Sequence, residues 1–409
     1  MSATADKGIP SGAPRLNVYV VDLWSTVPYY DAYLCEALIS SGVTPTLAAI
    51  TYYLDRGCFS RKGITPQPGL IDLVGKLDLP KRVRQILKLL EGLVNLAALT
   101  FRFRKHRPDV AHVQYLPLIQ RRLTLEMWFI RYWQRLGIKI VYTVHDLLPH
   151  DSGEKHEDAF RELYSRMDGL ICHSEAVKHE LETRFAVPSD RISVIPHGPF
   201  FHDFQPQDKT QMRRQLGIGA NECLVLWQGI IFPYKGIAFL LDAWARLQPQ
   251  RLPARLVIAG TGSAEQLSQI EQQVQNLKLQ ASVFLEFRFL PLEELMALYA
   301  AADVLVYPYR TITTSGALMT GLAQGKAIVA TSLPPFLELL RDGENACIVN
   351  YADTQQLADA LADLIKDPEK RERLAHAVTA MQSGAKSWAE IGKLTVEFYE
   401  KIKAAGGRD

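Results

Sequence analysis

Three stretches of this chain carry residue types that could do chemistry. "TVHDLLPHD" holds His145, Asp146, His150 and Asp151, four candidate metal ligands or proton-transfer groups within residues 145–151. Alternating spacing after a strand seldom turns four side chains inward together, so one histidine or aspartate facing a cleft is the simpler expectation than a metal. "GIIFPYKG" follows an apolar run. Gly229 allows a ligand close to the backbone, and Lys235 stands beside Gly236 at the start of the next helix. A lysine opposes the dipole at a helix N-terminus, unless an anion such as phosphate takes both the ammonium and the free N–H groups. The alternative is a solvated surface lysine. "YRTITTSGALMTGLAQGKAIVAT" (309–331) contains no carboxylate and is dense in small residues. Ser315 fits an N-cap, and the exposed amides around Gly316 could cradle an anion that an acid would repel. Ala317, Gly321 and Ala323 instead suit close helix–sheet packing. Gly260 and Gly262 form a further close-approach loop, of a kind found throughout α/β proteins.

Other chemistries find no support in the spacing. No G-x-G-x-x-G follows the first strand and no G-x-x-x-x-G-K-[ST] occurs. No two aspartates are spaced D-x-D, which argues against a metal-dependent sugar transferase with one nucleotide domain. The five cysteines lie far apart without a C-x-x-C, as expected of reduced thiols in a cytosolic protein.

Short apolar runs alternate with helical patterns along the whole chain. Six strands are predicted in 16–21, 44–50, 109–114, 139–147, 169–174 and 192–198. Six more are predicted in 223–229, 255–260, 282–288, 304–309, 327–332 and 346–350. Most are too short for helices and too uniformly apolar for one-sided strands, the mark of parallel strands covered on both faces. The fold class is therefore α/β, with two doubly wound, Rossmann-like domains facing across a cleft. The chain's 409 residues suit two such domains. We place the first at 1–199 and the second at 200–388, with a helix at 389–409 that packs back on the first. Periodicity is lost near 199–211. The polar N-terminus reads as a loose tail, and no apolar run approaches the ~18 residues of a membrane span. Ligands of open parallel sheets bind beyond the strands' carboxyl ends, so the residues just after each strand are the ones to watch.

Taken together, "TVHDLLPHD", "LICHSEAVKHEL" with "ISVIPHG", "GIIFPYKG", "FLPLEELMALYAAADVLVYPY" and "SGALMTGLAQGKAIVAT" resemble the GT-B glycosyltransferases, specifically retaining family 4 (group 1) of the polysaccharide-assembly type. The resemblance implies a nucleotide-sugar in the C-terminal half and the acceptor in the N-terminal half. Lys235 and the amides near Ser315 and Gly316 would hold the diphosphate. Arg288, Phe289 and Leu290 would lie by the nucleobase, and His145 would face the donor sugar. No bound metal or other cofactor is then needed, because cationic side chains and helix dipoles neutralise the leaving group. The chain departs from the family in two places. Ile230 and Ile231 stand where an arginine is frequent, and Ile312 and Thr320 replace two glutamates eight apart. A Thr320 hydroxyl could still hydrogen-bond a ribose.

The expected activity is transfer of a hexose from a nucleoside diphosphate to a saccharide or lipid-linked saccharide. With retention, a leaving phosphate oxygen takes the acceptor's proton; with inversion, Asp146 or Asp151 is the base. A sugar-nucleotide epimerase and a non-catalytic nucleotide-sugar-binding partner remain alternatives. Trp24, Tyr29 and Tyr30 follow the first strand and either stack on the acceptor or pack a helix; His150 and Asp151 are further acceptor-binding candidates. Between Lys81 and Lys139, thirteen basic residues face three acids amid apolar helix positions. This segment suits docking on an anionic membrane, a solvated face over a buried helix being the alternative. Nucleic acid would use the same charge, but no recognition motif accompanies it. The expected place of work is the cytoplasm, peripheral on the inner face of the plasma membrane.

Overall fold

The computed structural model describes residues 16–77, 80–119, 124–149, 153–200, 208–247, 252–382 and 387–405. The proposed N-terminal tail, His150, Asp151, Arg121, Arg122 and most of the proposed 199–211 break lie outside them.

Each of the twelve predicted apolar runs overlaps a strand. The first sheet holds β1 (Val18–Asp22), β2 (Thr46–Ala49), β3 (Val110–Val113), β4 (Lys139–Thr143), β5 (Gly169–Cys172) and β6 (Ile192–Val194). The second holds β7 (Cys223–Gln228), β8 (Ala254–Ala259), β9 (Val283–Glu286), β10 (Val304–Tyr307), β11 (Ala327–Thr331) and β12 (Cys347–Val349). The orders are β2-β1-β3-β4-β5-β6 and β12-β11-β10-β7-β8-β9, with parallel pairing throughout. Central strands such as β1, β3, β10 and β11 are buried at every position, which is why they read as continuous apolar runs.

Helices cover both faces. In the first half they are α1 (Pro28–Ser40), α2 (Lys81–Lys105), α3 (Leu125–Arg135), α4 (Glu157–Arg166) and α5 (Glu175–Thr183). The second half adds α6 (Lys209–Gln215), α7 (Ile237–Arg246), α8 (Ala264–Asn276), α9 (Leu292–Ala301) and α10 (Gly316–Ala323). It ends with α11 (Pro334–Leu337), α12 (Thr354–Lys366), α13 (Pro368–Gln382) and α14 (Trp388–Ala405). Strand order reverses beside the first strand of each sheet, between β1 and β3 and between β7 and β10. Crevices open at such switch points, so the loops after β1, β7 and β10 must line whatever lies between the domains.

The last helix, α14, returns to the first domain. The Trp388 and Tyr33 rings stack at 5.2 Å, and Trp388 Nε1 donates to Pro199 O at 2.8 Å. A Cβ on Gly392 would stand 2.3 Å from Ala37 O, so α14 lies hard against α1. Further contacts join the halves. Glu338 of the second domain accepts from the Glu175 and Ala176 amides, at 3.0 and 2.7 Å, at the start of α5. Leu147 N of the first donates to Thr313 Oγ1 at 3.0 Å. All five cysteines are buried free thiols.

Candidate active site

A cavity of ≈ 400 Å³ opens between the two sheets. Its second-domain wall is built by loops that the backbone holds very close. Gly260 has φ +151°, and a Cβ there would meet Gly229 O at 1.8 Å. Gly229 N in turn donates to Ala259 O at 3.1 Å, so the ends of β7 and β8 touch through bare backbone. Gly229 and Gly260 line the cavity, whereas Gly262 is exposed and lies off it.

Lys235 projects into this cavity from the short turn Pro233–Lys235 that precedes α7. Its ammonium sits 5.8 Å from the Tyr309 ring centre, and a Cβ on Gly229 would be 3.0 Å from it. Desolvation by the walls pushes its pKa down to about 8, partly offset by the charge of Asp146 across the cleft. At neutral pH it is a cation drawn out of water.

The start of α10 forms the neighbouring wall. Ser315 Oγ accepts from Leu318 N at 3.1 Å, which closes the cap and leaves the first-turn amides of Gly316 and Ala317 to the cleft. Ser315 itself faces a smaller pocket of ≈ 60 Å³ behind this wall. The small residues also let α10 approach the sheet. A Cβ on Gly321 would meet Tyr307 Oη at 2.0 Å, and that hydroxyl donates to Ala317 O at 3.0 Å. The close-packing reading of this stretch thus holds on the sheet side of α10, while the anion-cradle reading concerns the first-turn amides on its cleft side.

Thr320 lines the cavity and is 4% exposed, but its hydroxyl donates to Gly316 O at 2.8 Å. The proton expected to reach a ribose is committed inside the helix. Ile312 packs into the second-domain core. Among the described second-domain residues lining the cavity there is no carboxylate. Arg288, Phe289 and Leu290 line it together. The Arg288 guanidinium is bonded to Glu286 and Glu294, at 2.6 and 2.5 Å. Ile230 and Ile231 diverge: Ile230 lines the cleft at 55% exposure, and Ile231 is buried in the core.

From the first domain come His145 and Asp146, just beyond β4, with Tyr29 and Tyr30 from the start of α1. His145 Nε2 lies 3.1 Å from Gln114 Oε1; with that oxygen as the acceptor, the imidazole proton is on Nε2 and Nδ1 keeps its lone pair. Burial, and then the neighbouring His173, His197 and His112, hold the His145 pKa well below its ordinary value. His173, depressed to about 4 mainly by burial, packs at 5.3 Å from His197 and 5.5 Å from His145. The Tyr30 ring closes this neutral cluster, 4.7 Å from His145. Tyr29 Oη donates to Asp55 Oδ2 at 2.9 Å.

Trp24 does not reach the cleft. It packs beneath α2, where a Cβ on Gly92 would stand 2.3 Å from its ring, and this corrects its place among the acceptor-stacking aromatics. The remaining acceptor candidates, His150 and Asp151, fall outside the described residues. Among the described residues no three His, Cys, Asp or Glu side chains gather as a metal site would require. Sequence reasoning missed Tyr52, Phe200, Gln228 and Thr314, all of which line the cavity. Tyr52 and Gln228 stand at strand ends and were findable by the rule that picked the others. Thr314 Oγ1 is buried without a hydrogen-bond partner among the described residues.

Residues 32–198 match the family model "Glycosyltransferase Family 4", and residues 222–367 match "Glycosyl transferases group 1". A D-inositol 3-phosphate glycosyltransferase of Corynebacterium urealyticum is 29% identical over 296 residues, covering 67% of this chain and 68% of that protein. The structure of Anabaena HepE in complex with UDP and glucose superposes with a TM-score of 0.73 at 19% identity, covering 94% of this chain and 100% of that one. Sucrose-phosphate synthase of Thermosynechococcus elongatus does so with 0.72 at 20%, covering 96% and 100%. Two matched halves on two facing parallel sheets make this chain a GT-B glycosyltransferase of the family-4 type.

Proposed function

We propose that the chain transfers a hexose from a nucleoside diphosphate, with UDP the favoured carrier, to a saccharide or lipid-linked saccharide in cell-surface polysaccharide assembly. The observation that carries this reading is the second-domain wall of the cavity: a desolvated lysine and the amides of Gly316 and Ala317, with no carboxylate among that wall's described residues. That wall fits a diphosphate, whose leaving charge it would neutralise without a metal. UDP is favoured because it occupies a protein of the same fold. The neutral His145 donates its one N–H to Gln114, so it meets the sugar as an acceptor for a hydroxyl proton. Asp146 supplies a carboxylate on the acceptor side if configuration is inverted; the anomer of the product decides.

Thr320 offers a graded test. Because its hydroxyl already bonds Gly316 O, Thr320→Val should change nucleoside diphosphate affinity by no more than ~0.5–1.5 kcal/mol, the scale of one neutral hydrogen bond. Thr320→Glu should weaken it by about tenfold or more, since a carboxylate would be desolvated beside phosphates of its own sign. Both are read by the ligand-induced rise in melting temperature. Tighter binding by Thr320→Glu would mean a pocket that tolerates an acid, against the proposed lie of the diphosphate.

A further inference from the structure

Helix α2 carries apolar residues on two opposite faces. Leu96, Leu99 and Phe103 are buried in the first-domain core. Val83, Ile86, Leu90, Val94 and Phe101 form a second row, each 44–60% exposed. Intervals of three, four and seven residues put this row on one outward side.

Beside it runs the loop carrying Ile71, Leu73 and Leu77, which are 40%, 62% and 52% exposed. This loop is fastened by buried polar groups of α2. Asn95 exchanges two hydrogen bonds with the Ile71 backbone, at 2.6 and 2.8 Å. Glu91 Oε1 accepts from Leu73 N at 2.7 Å and Val74 N at 3.1 Å. The backbone is thus pinned while the apolar side chains face out. A surface of this kind, wider than isolated exposed leucines, marks an interaction site. Trp128 on the adjacent α3 is 57% exposed as well.

Charge selects the occupant. Lys88 lies 4.7 Å above the Tyr53 ring and Lys105 4.9 Å from the Phe101 ring, while Arg104 and Arg107 are exposed at the C-terminal end. With Lys88, Arg104, Lys105 and Arg107 along it, an apolar row bordered by cations fits anionic lipid. The surface also joins the active site. Tyr52 lines the cavity, its neighbour Tyr53 is 44% exposed under Lys88, and Thr51 Oγ1 donates to Asp72 Oδ2 at 2.6 Å.

We infer that the outward row of α2 and the pinned 71–77 loop seat in an anionic bilayer, bringing the cleft mouth at Tyr52 to the lipid surface to receive an acceptor that stays membrane-anchored. The acceptor part of this inference rests on the glycosyl-transfer reading; the seating does not.

The test is co-sedimentation of the full chain with vesicles of phosphatidylcholine alone or rich in phosphatidylglycerol, alongside UDP calorimetry. The wild type should bind the anionic vesicles about tenfold more strongly and release as salt rises, with screening over ~8 Å at physiological ionic strength. The exposed-face variant Ile86→Asp/Leu90→Asp should lose about tenfold in vesicle binding while binding UDP as the wild type does. Arg104→Gln/Lys105→Gln should reduce the anionic preference; Arg102 is left intact because its guanidinium donates to Pro68 O at 3.0 Å. Undiminished vesicle binding by the Asp variant would overturn the seating. So would a wild-type dimer that the variant turns into monomers without any vesicle binding, since the row would then be an interface between copies. Vesicle binding without UDP binding would uphold the seating and sink the transfer reading instead.

Discussion

Lys235→Ala is expected to weaken nucleoside diphosphate binding by ~1.5–3 kcal/mol, the worth of a hydrogen bond to a charged group. That is one to two orders of magnitude in affinity, read by calorimetry. The wild type should also show a pH signature that the variant lacks. The free ammonium has its pKa pushed down to about 8, and a bound diphosphate would raise it again. Below pH 8 the ligand meets a charged lysine, and affinity should be flat. Above it the lysine must recapture a proton on binding, so affinity should fall by up to about tenfold per pH unit. Lys235→Ala should stay flat across the same range. Equal affinities, or equal pH profiles, would remove Lys235 from the diphosphate.

Gly260→Ala should be among the most damaging single changes to the scaffold. Two penalties coincide there: φ is +151°, and the new Cβ would lie 1.8 Å from Gly229 O, a backbone atom that cannot swing aside. We expect a loss of at least ~3 kcal/mol in urea unfolding, combining backbone strain with overpacking, together with loss of nucleotide binding as β7 and β8 part. Gly343→Ala is the control. Its φ is +72°, but a Cβ there meets nothing within 4 Å. It should cost only the left-handed penalty of ~1–2 kcal/mol and leave binding intact. A Gly260→Ala protein as stable as Gly343→Ala would show that the two loop ends are not pressed together.

The fold was legible because parallel strands covered on both faces leave unbroken apolar runs, as in "VLVYPY" and "AIVATS", and each such run overlaps a strand. The cleft was legible to the extent that position after a strand decides it. Gly229, Lys235 and His145 follow this rule and line one cavity. Orientation within a loop was not legible. Trp24 and Tyr30 follow the same strand, yet Trp24 turns under α2 and Tyr30 turns to His145. Nor could spacing reveal that the Thr320 hydroxyl would close on Gly316 O, since a threonine's bond to the preceding turn competes with any ligand. In α2 the periodicity was visible but ambiguous. Two apolar rows share one helix, and only the packing of Phe103 inward leaves Phe101 outside.

The proposed breaking of a nucleoside diphosphate–hexose bond in this cleft, with transfer of the sugar, is tested by phosphorus NMR of pure protein with UDP-hexose in a chelator, with and without a detergent extract of lipid-linked saccharides. UDP should accumulate once the extract supplies an acceptor, and Lys235→Ala should abolish its release. UDP-hexose that stays intact although bound, that changes its sugar without releasing UDP, or that reacts only after magnesium or manganese is restored would rule out a metal-independent transferase.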